Sequence, residues 1–508
     1  MDVELRLSSY FDTIIERRDG IPLFKDFVAG DWVVAPEAMK VVSPIDGSTI
    51  ALVPKLSAKQ LEPYLEKIYR SGRWSIRNTP GYRRIEYFEK VAELLEAHAD
   101  DFVEVLMVNA GKTRSQALGE VNATIDRLRK ADMDARKVYG EYVPGDWDSS
   151  TLETEGLVRK EPYGLVLAIS PFNYPLFDSV SKFVYSAVAG NAVILKPPSA
   201  DPLPVLMFAK LVSDSGFPKD SFAVVTVPGR DMDELVKDPR IRVISFTGSS
   251  ETGKHIISVA GIKQYIMELG GGDPAIVLED ADLVDAAKSI AAGIYSYAGQ
   301  RCDAIKVVIA HESVYDELKR RLVDELSKVK VGDPRDPSTT MGPLISREAA
   351  DAMMAAIDDA VKKGGKVIYG GRRLGDNYVE PTLIEVPDRG ALAGMDLYAR
   401  EIFAPVALIT KFRDLDEAIE IANGRRYGLD VAIFGKDINA IRKLMRYLDF
   451  GAIYINDMPR HGVGYYPYGG RKDSGMGVEG IAYSVELVMA PKTIVFSYKG
   501  KRVYEYLV

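Results

Sequence analysis

Short apolar segments alternate with helical segments through the middle of this chain, and this alternation limits the folds open to it. The apolar segments span residues 165–169, 192–195, 223–227 and 243–246. Helical periodicity marks residues 204–215 and 231–237 between them, and also residues 83–97 and 117–136 nearer the start. Because strands joined by helical crossovers run parallel, the pattern predicts an α/β fold built on a buried parallel sheet.

A second block of the same kind follows toward the C-terminus. Its predicted strands span residues 274–277, 306–310, 406–412 and 452–455. A chain of 508 residues is long enough for two or three domains that share a large core. We therefore expect a second α/β domain after the first.

The composition restricts the setting in which the protein acts. With 65 basic and 73 acidic residues, the net charge of −8 argues against a general affinity for nucleic acid or for an anionic membrane. The start of the chain lacks a signal-peptide pattern and no run of eighteen apolar residues occurs, so we expect a soluble, cytoplasmic protein. Few glutamines and many charge-mixed helices suggest a source living at high temperature.

The single cysteine, Cys302, lies in the segment YAGQRCD at residues 297–303. Small residues surround it and Arg301 precedes it, a setting that is typical of a reactive thiol. The alternative is an inert buried side chain, because free cysteine is among the most buried residue types. The segment alone does not choose between the two.

A lone carboxylate, Glu268, ends an apolar segment upstream of Cys302, and glycines at 270–272 follow it. Glycines at the end of a strand let a substrate come close to the backbone. A glutamate near a thiol, with no histidine close in sequence, indicates a base that activates water. The alternative is an exposed carboxylate at the end of a strand.

Seven short motifs are distributed over most of the chain. They are PFNYP (171–175), KP (196–197), FTGSSETG (246–253), ELGG (268–271), GQRC (299–302), EIFAP (401–405) and PYGGRKDSG (467–475). In this order they resemble the aldehyde dehydrogenase superfamily. The resemblance implies an aldehyde dehydrogenase-like fold with two Rossmann-like parallel-sheet domains and a small β oligomerisation element.

The same resemblance implies the domain boundaries. The cofactor-binding domain would comprise residues 1–139 and 161–271, the catalytic domain 272–475, and the oligomerisation element 140–160 and 476–508. Ile494, Phe496 and Tyr498 alternate along the last segment and would leave an exposed strand edge that needs a partner. We therefore expect a dimer or tetramer, and the family favours a homotetramer built as a dimer of dimers.

A nucleotide site is predicted where the strand at 243–246 leads into a helix near residue 250. The free N–H groups and the positive dipole at a helix N-terminus suit a pyrophosphate, although a plain strand-to-helix turn is the alternative. The superfamily is similar in using two spaced glycines here, matched by Gly248 and Gly253. By resemblance, Lys196 reaches the adenosine ribose. Ser199 stands where many NAD-preferring relatives carry glutamate, which favours NADP and still admits NAD.

The nicotinamide half of the cofactor is assigned by resemblance alone. Glu401 would hold the nicotinamide ribose and Phe403 would pack against the nicotinamide ring. The other residues implied to contact the cofactor are Ser170, Pro171, Phe172, Pro198, Gly229, Phe246, Thr247, Ser249, Thr252, Leu269 and Gly270.

The chemistry implied by the family begins with a thiol. Oxidation of an aldehyde by hydride transfer needs a tetrahedral carbon that carries an oxyanion, and a thiolate can form it. Cys302 would be that nucleophile, and Asn173 with the Cys302 backbone N–H would bind the oxyanion. Glu268 would activate the water that hydrolyses the thioester. Arg301 and a helix start could lower the pKa of Cys302, and no metal is expected.

Departures from the common family pattern indicate an anionic substrate. Tyr174, Arg301, Arg460 and His461, together with Asp303, would gather near the substrate entrance. They resemble the non-phosphorylating glyceraldehyde-3-phosphate dehydrogenases, most of all the archaeal members. The resemblance implies irreversible, NAD(P)-dependent oxidation of glyceraldehyde 3-phosphate to 3-phosphoglycerate without inorganic phosphate.

The match to that group is uneven. Tyr174 and Arg301 match phosphate-holding residues by position, whereas Arg460 is shifted by about one residue. A further family arginine on an N-terminal helix has only loose candidates here, Arg127 and Arg129. Surface ion pairing is the alternative role for the arginines near the entrance.

Other functions stay open at this point. The substrate could be another small anionic aldehyde or a semialdehyde. A cysteine hydrolase would also use Cys302, but it usually needs a histidine base, and none of the four histidines has an evident orienting partner in the sequence. They are His98, His255, His311 and His461. A coenzyme A-acylating dehydrogenase, a phosphorylating dehydrogenase and a non-catalytic binding role are the remaining alternatives.

Overall fold

The computed structural model describes residues 3–462 and 464–501, and two large sheets organise it. The strands are β1 (Ile15–Arg18), β2 (Ile21–Phe24), β3 (Asp26–Val28), β4 (Asp31–Val33), β5 (Ala38–Val42), β6 (Thr49–Pro54), β7 (Gly140–Pro144), β8 (Thr154–Pro162), β9 (Leu165–Ile169), β10 (Ala192–Lys196), β11 (Phe222–Val224), β12 (Val243–Thr247), β13 (Gln264–Glu268), β14 (Asp273–Val277), β15 (Ile305–His311), β16 (Lys366–Tyr369), β17 (Thr382–Glu385), β18 (Val406–Phe412), β19 (Tyr427–Gly428), β20 (Asp430–Phe434), β21 (Ala452–Ile455), β22 (Arg471–Lys472), β23 (Gly475–Met476) and β24 (Met489–Ser497).

Helices cover the sheets and connect their strands. They are α1 (Ala58–Lys67), α2 (Arg73–Asn78), α3 (Gly81–Ala97), α4 (Ala99–Ala110), α5 (Arg114–Arg129), α6 (Ala131–Ala135), α7 (Pro175–Val188), α8 (Leu203–Asp214), α9 (Asp233–Lys237), α10 (Ser250–Ala260), α11 (Leu283–Tyr295), α12 (Tyr315–Leu326), α13 (Arg347–Lys362), α14 (Asp396–Ala399), α15 (Leu415–Asn423), α16 (Ile438–Tyr447) and α17 (Ser484–Leu487). None of the helices in these ranges is long and apolar enough to cross a membrane.

The first sheet has eight strands in the order β23-β13-β12-β9-β10-β11-β3-β4. Its five central strands, β13 to β11 in that order, are parallel, with Val243 of β12 opposite both Val166 of β9 and Gln264 of β13. The α/β prediction is therefore confirmed. The predicted strand at 223–227 is shorter than expected, because regular pairing ends with Val224 in β11.

The second sheet has seven strands in the order β16-β17-β18-β15-β14-β20-β21, and the predicted strands of the second block are all present in it. Its six strands from β17 to β21 pair in parallel. Buried apolar side chains pack on both faces of this sheet, with Ile276 and Ile309 on one face and Ala275 and Val308 on the other. Burying each large aliphatic side chain contributes about 1.5–3 kcal/mol.

The helix predicted over 117–136 is divided in two. Thr113 starts α5 with a capping box, in which its backbone N–H donates to Gln116 Oε1 at 3.1 Å. The backbone leaves helical geometry at Lys130, and the short helix α6 follows directly.

A small separate sheet has the order β24-β8-β7, and all of its pairs are antiparallel. Strand β24 lies at its edge, and Val495 and Phe496 on it are 62% and 44% exposed. The predicted segment 476–508 thus contributes one strand here, while its residues 502–508, like residues 1–2 of the predicted first domain, lie outside the described residues. The domain boundaries and the role of this sheet in assembly stay predictions.

Candidate active site

A cavity of about 960 Å³ is lined by residues at the carboxyl ends of the first sheet's strands and by loops of the second half of the chain. Open α/β sheets bind ligands at this end of their strands. Cys302, Glu268 and Asn173, the three predicted catalytic residues, all line this cavity. The tertiary structure therefore brings together residues that are up to 129 positions apart in a single site.

A strained loop presents Cys302 to the cavity. Tyr297, Ala298 and Gly299 all have positive φ angles, of 50°, 52° and 65°. A side chain on Gly299 would overlap the carbonyl of Ala404, so this position requires glycine. Left-handed geometry at successive residues is costly, and the surrounding contacts hold the loop in place.

The backbone after Glu268 packs directly against the Cys302 loop. A Cβ on Gly271 would overlap the carbonyl oxygen of Cys302. Strand β13 ends at Glu268, so this close approach fixes the carboxylate and the thiol on two touching segments. The sequence pattern of glycines after Glu268 thus has a steric reason.

Glu268 is only 5% exposed, and neither of its carboxylate oxygens has a hydrogen-bond partner among the described residues. Burial raises its pKa well above the usual range, and the nearby Glu479 raises it further. A higher pKa makes the deprotonated carboxylate a stronger base toward water. The geometry therefore suits the predicted role as a base.

The expectation of a lowered Cys302 pKa is wrong for this structure, although the charge of Arg301 attracts the thiolate. Cys302 follows a short 3₁₀ turn at Ser296–Gly299 and does not begin a helix. Arg301 pairs with Asp303 at 2.8 Å and donates to the Pro459 carbonyl at 2.7 Å. Burial, followed by the charge of Asp303, raises the pKa of the Cys302 thiol well above its ordinary value.

His461 lies deeper than a residue at the substrate entrance would. Its Nε2 is 3.2 Å from Asp430 Oδ2 and 3.5 Å from Asp303 Oδ2, and its ring centroid lies 3.9 Å from that of Tyr468. The distance pairs His461 with Asp430, which sequence reasoning did not connect with it, although neither ring nitrogen makes a hydrogen bond within the described residues. The partner escaped the sequence analysis because Asp430 lies on a different element, β20.

The predicted nucleotide residues extend the cavity away from Cys302. Ser249 caps α10 by accepting a hydrogen bond from the Thr252 backbone N–H at 3.2 Å. Lys196 Nζ donates to Ser199 Oγ at 3.0 Å, and burial lowers the pKa of Lys196 to about 8. The Thr247 hydroxyl is buried without a hydrogen-bond partner among the described residues. The other predicted cofactor residues that line the cavity are Ser170, Pro171, Phe172, Pro198, Gly229, Phe246, Gly248, Leu269, Gly270, Glu401 and Phe403.

Two details refine this region. Gly253 packs against the side chain of Leu269, where a Cβ would overlap, so its place in the motif has a packing reason. Glu401 Oε1 accepts a hydrogen bond from the Gly271 backbone N–H at 2.9 Å, and burial raises the pKa of Glu401 to about 7. The rings of Phe172 and Phe403 meet edge to face with centroids 5.6 Å apart.

The five predicted substrate residues, Tyr174, Arg301, Asp303, Arg460 and His461, also line the cavity. Arg301 is buried, and its Nε atom has no hydrogen-bond partner among the described residues. Arg460 is exposed and forms an ion pair with Asp457.

Neither candidate for the N-terminal arginine reaches this cavity. Arg127 is buried against Asp134 at 2.7 Å, and Arg129 pairs with Glu96 at 2.6 Å on the surface. The loose candidates Arg127 and Arg129 are therefore both absent from the lining of this cavity.

Lys112 is the cation from the N-terminal half that sequence reasoning missed. It is 1% exposed, lines the cavity, and its Nζ lies 4.1 Å from the ring centroid of Tyr174 and 4.4 Å from that of Tyr297. A carboxylate oxygen of Glu120 lies 2.6 Å away. A lysine directly after Gly111, the left-handed residue that ends α4, is a weak signal that could have found it.

A second missed group lies behind Glu268. Lys182 and Glu479 form a buried ion pair, and the Tyr468 hydroxyl donates to Glu479 Oε2 at 3.2 Å. Asp178, on the same helix as Lys182, lines the cavity, and burial raises its pKa to about 7.

Comparisons with known proteins place this geometry in context. The sequence profile described as the aldehyde dehydrogenase family matches residues 32–494. The chain is 35% identical over 475 residues to the NADP-dependent glyceraldehyde-3-phosphate dehydrogenase of Streptococcus equinus, covering 93% of this chain and 98% of that protein. It is 33% identical over 476 residues to the lactaldehyde dehydrogenase of Methanocaldococcus jannaschii, covering 93% and 100%.

Among solved structures, the chain is similar to the NADP-dependent glyceraldehyde-3-phosphate dehydrogenase of Bacillus halodurans complexed with NADP. The TM-score is 0.89 at 33% identity, and the match covers 93% of this chain and 99% of that one.

Proposed function

Because this chain belongs to the aldehyde dehydrogenase family, we propose that it oxidises glyceraldehyde 3-phosphate to 3-phosphoglycerate with NADP, and also with NAD, without taking up inorganic phosphate. The observation that carries the substrate assignment is the buried Arg301 guanidinium in the same cavity as Cys302. Its Nε atom is a donor with no partner among the described residues. A buried donor without a partner costs about 1–3 kcal/mol, which a phosphate oxygen would offset.

Neighbouring groups support an anionic ligand beside Arg301. The charge of Asp303 raises the pKa of Arg301 against the effect of burial, so the guanidinium stays charged. Tyr174 offers a phenol hydroxyl in the same cavity, and Lys112 adds a buried ammonium against the face of its ring. Arginine donates two parallel hydrogen bonds to phosphate, which suits it to this role.

The residues present fit a dinucleotide. The N-terminus of α10 borders the cavity at Gly248 and Ser249. The buried Thr247 hydroxyl beside them has no hydrogen-bond partner among the described residues. Lys196 and Ser199 offer a cation and a hydroxyl for a ribose 2′-phosphate. When bound, the nicotinamide supplies the acceptor for the hydride.

In the proposed mechanism, the thiolate of Cys302 adds to the aldehyde carbon and forms a thiohemiacetal. Asn173, buried at the cavity wall, binds the oxyanion together with the Cys302 backbone N–H. Loss of the hydride leaves a thioester on Cys302. Glu268 then takes a proton from water, the hydroxide adds to the thioester carbon, and cleavage of the C–S bond releases the acid.

Turnover in phosphate-free buffer tests this proposal. We expect reduction of NADP with glyceraldehyde 3-phosphate, abolished in Cys302→Ala, and a kcat/KM at least tenfold above that for glyceraldehyde. In Glu268→Gln, we expect a burst of one NADPH per site followed by slow turnover, because the thioester forms but is not hydrolysed. Dependence on added phosphate would contradict the proposal.

A second candidate substrate is a small uncharged hydroxyaldehyde such as lactaldehyde. It is favoured by the pairing of Arg301 with Asp303, which already neutralises one cation, and by the lactaldehyde dehydrogenase among the relatives. Equal kcat/KM for lactaldehyde and glyceraldehyde 3-phosphate would support this alternative. Arg301→Met distinguishes the two candidates, since it would lower kcat/KM only for the phosphorylated substrate.

We also propose that the protein is a cytoplasmic homotetramer. The exposed apolar side chains on the edge strand β24, Val495 and Phe496, support assembly through that strand.

A further inference from the structure

Cys302 and His461 line the cavity, and the buried Asp430 lies against His461. The Cys302 Sγ, a carboxylate oxygen of Asp303 and a ring nitrogen of His461 all lie within 4.8 Å of one another. The Nε2 of His461 lies 3.2 Å from Asp430 Oδ2. We propose that His461 accepts the thiol proton of Cys302, and that Asp430 positions the imidazole ring and stabilises the imidazolium.

This proposal rests on the proposed function only in taking Cys302 as the nucleophile. The identity of the aldehyde does not enter it. It divides the proton transfers between two groups, because His461 serves the thiol and Glu268 serves the hydrolytic water.

A base for the thiol is needed because burial disfavours the thiolate more than the attraction of Arg301 favours it. Burial holds Cys302 in its neutral form, and Arg301 is committed to Asp303 and to the Pro459 carbonyl. The thiolate is the reactive nucleophile, so the proton must pass to a neighbouring group. A base can reach the thiol after one side-chain rotation or through one bridging water. Catalytic hydrogen bonds are often long before substrate binds.

Asp430 is suited to stabilise an imidazolium. It is fully buried, and neither of its carboxylate oxygens makes a hydrogen bond within the described residues. Its backbone N–H donates to Asp273 Oδ1 at 3.2 Å, which fixes the start of β20. Burial raises the pKa of Asp430 to about 7, and His461 counteracts this rise. A carboxylate beside an imidazole orients the ring and favours its protonated form.

The charged and titratable groups around the imidazole come from several elements. They are Asp273 on β14, Arg301, Cys302 and Asp303 on the thiol loop, Asp430 on β20, Tyr454 on β21, and Arg460 and Tyr468 on the loop that carries His461.

The proposed step is balanced. The S–H bond of Cys302 breaks, its proton moves to a ring nitrogen of His461, and its electron pair stays on sulfur. Sulfur then bonds to the aldehyde carbon, and the carbonyl electron pair moves to oxygen. When hydrolysis later breaks the C–S bond, the departing sulfur takes the proton back from His461.

A thiol titration tests the proposal directly, and the chain's single cysteine makes the signal unambiguous. Thiolate absorbance at 240 nm and the rate of iodoacetamide alkylation are measured from pH 5 to 10 with EDTA present and without substrate. In the wild type, burial places the midpoint above the ordinary thiol pKa, and His461 limits that rise. His461→Asn should raise it by at least one unit and slow alkylation at pH 7 about tenfold.

Matched variants separate this role from general damage. Asp430→Asn should shift the midpoint in the same direction by less, because the ring stays but its carboxylate is lost. His311→Asn, at an exposed site beside Ser313, should leave it unchanged. NADP binding, followed by fluorescence, reports whether each variant is folded, and His461→Gln substitutes if His461→Asn is not.

An unchanged midpoint in a folded His461 variant overturns the proposal. So does a midpoint that moves to lower pH in that variant. Because these readouts need no aldehyde, a failed titration leaves the substrate assignment standing. Conversely, failure of glyceraldehyde 3-phosphate as substrate leaves the thiol result intact.

Discussion

The ammonium nitrogen of Lys112 lies 2.6 Å from a carboxylate oxygen of Glu120, and both side chains are buried. The other oxygen of Glu120 accepts hydrogen bonds from the backbone N–H groups of Leu176 and Phe177 at 3.0 and 3.1 Å. Glu120 therefore ties the start of α7, and with it the adjacent Tyr174, to the cation that follows α4. One ion pair links the first helices of the chain to the substrate end of the cavity.

Lys112→Met should destabilise the protein by about 3–5 kcal/mol, because it leaves the Glu120 carboxylate buried and unpaired. Lys112→Met/Glu120→Gln should recover most of the loss, since glutamine keeps an acceptor for Leu176 and Phe177. Urea unfolding measures the free energy of unfolding of the single and the double variant. If the double variant is no more stable than the single one, the pair is not the source of the effect.

Gly271→Ala should reduce kcat at least a hundredfold while the protein stays folded, because the added methyl group displaces the Cys302 carbonyl and so the thiol. Steady-state kinetics and circular dichroism measure the two properties. Gly81→Ala is the matched control, since a Cβ at Gly81 meets open space at the start of α3. Normal kcat in Gly271→Ala would mean that the loop moves without consequence.

Ser199→Glu should lower kcat/KM for NADP at least tenfold and leave that for NAD equal or higher. The new carboxylate would repel a 2′-phosphate beside Lys196. Ser199→Ala serves as the control and should change the ratio little. In the wild type, NADP affinity should fall as pH rises through about 8, because Lys196 loses its proton there and with it the attraction to phosphate. If Ser199→Glu leaves the ratio of kcat/KM for NADP to kcat/KM for NAD unchanged, the 2′-phosphate binds elsewhere.

Asp26→Asn should change the pH dependence of stability far from the cavity. Burial raises the pKa of Asp26 to about 8, while the unfolded group titrates near 3.9. Between these values the folded state binds the extra proton, so its contribution to stability falls as pH rises from about 4 to 8. Asparagine can still accept from the Thr226 backbone N–H, which donates to Asp26 Oδ2 at 2.7 Å. Chemical unfolding from pH 4 to 8 should show that the free energy of unfolding of the wild type falls relative to that of Asp26→Asn. A difference that stays constant with pH would refute the raised pKa of Asp26.

Val495→Lys should weaken assembly. The side chain is 62% exposed on the edge strand β24, where a lysine resists pairing with a further strand or an apolar surface. Light scattering coupled to gel filtration should show smaller species than for the wild type. Lys492→Arg, on the same strand, is the control and should leave the mass unchanged. An unaltered mass for Val495→Lys would exclude this edge from the interface.

Much of the fold could be predicted because it depends on local patterns. The strand at Leu165–Ile169 and the helix after Ser249 follow from apolar runs, turn residues and a capping side chain that are neighbours in sequence. Errors arose where tertiary contacts set the boundary. Pairing ends early in β11, and the helix predicted through residue 136 breaks at Lys130.

The sequence by itself determined the α/β class, the thiol at Cys302 and the carboxylate at Glu268, because each is marked by residues close to it in the chain. Only the tertiary structure decided that Lys112, and neither Arg127 nor Arg129, borders the cavity, and that His461 meets Asp430. These relationships join segments far apart in sequence, and no local pattern encodes the distance between them. Burial then set the pKa directions of Cys302 and Glu268, since desolvation depends on the surrounding fold.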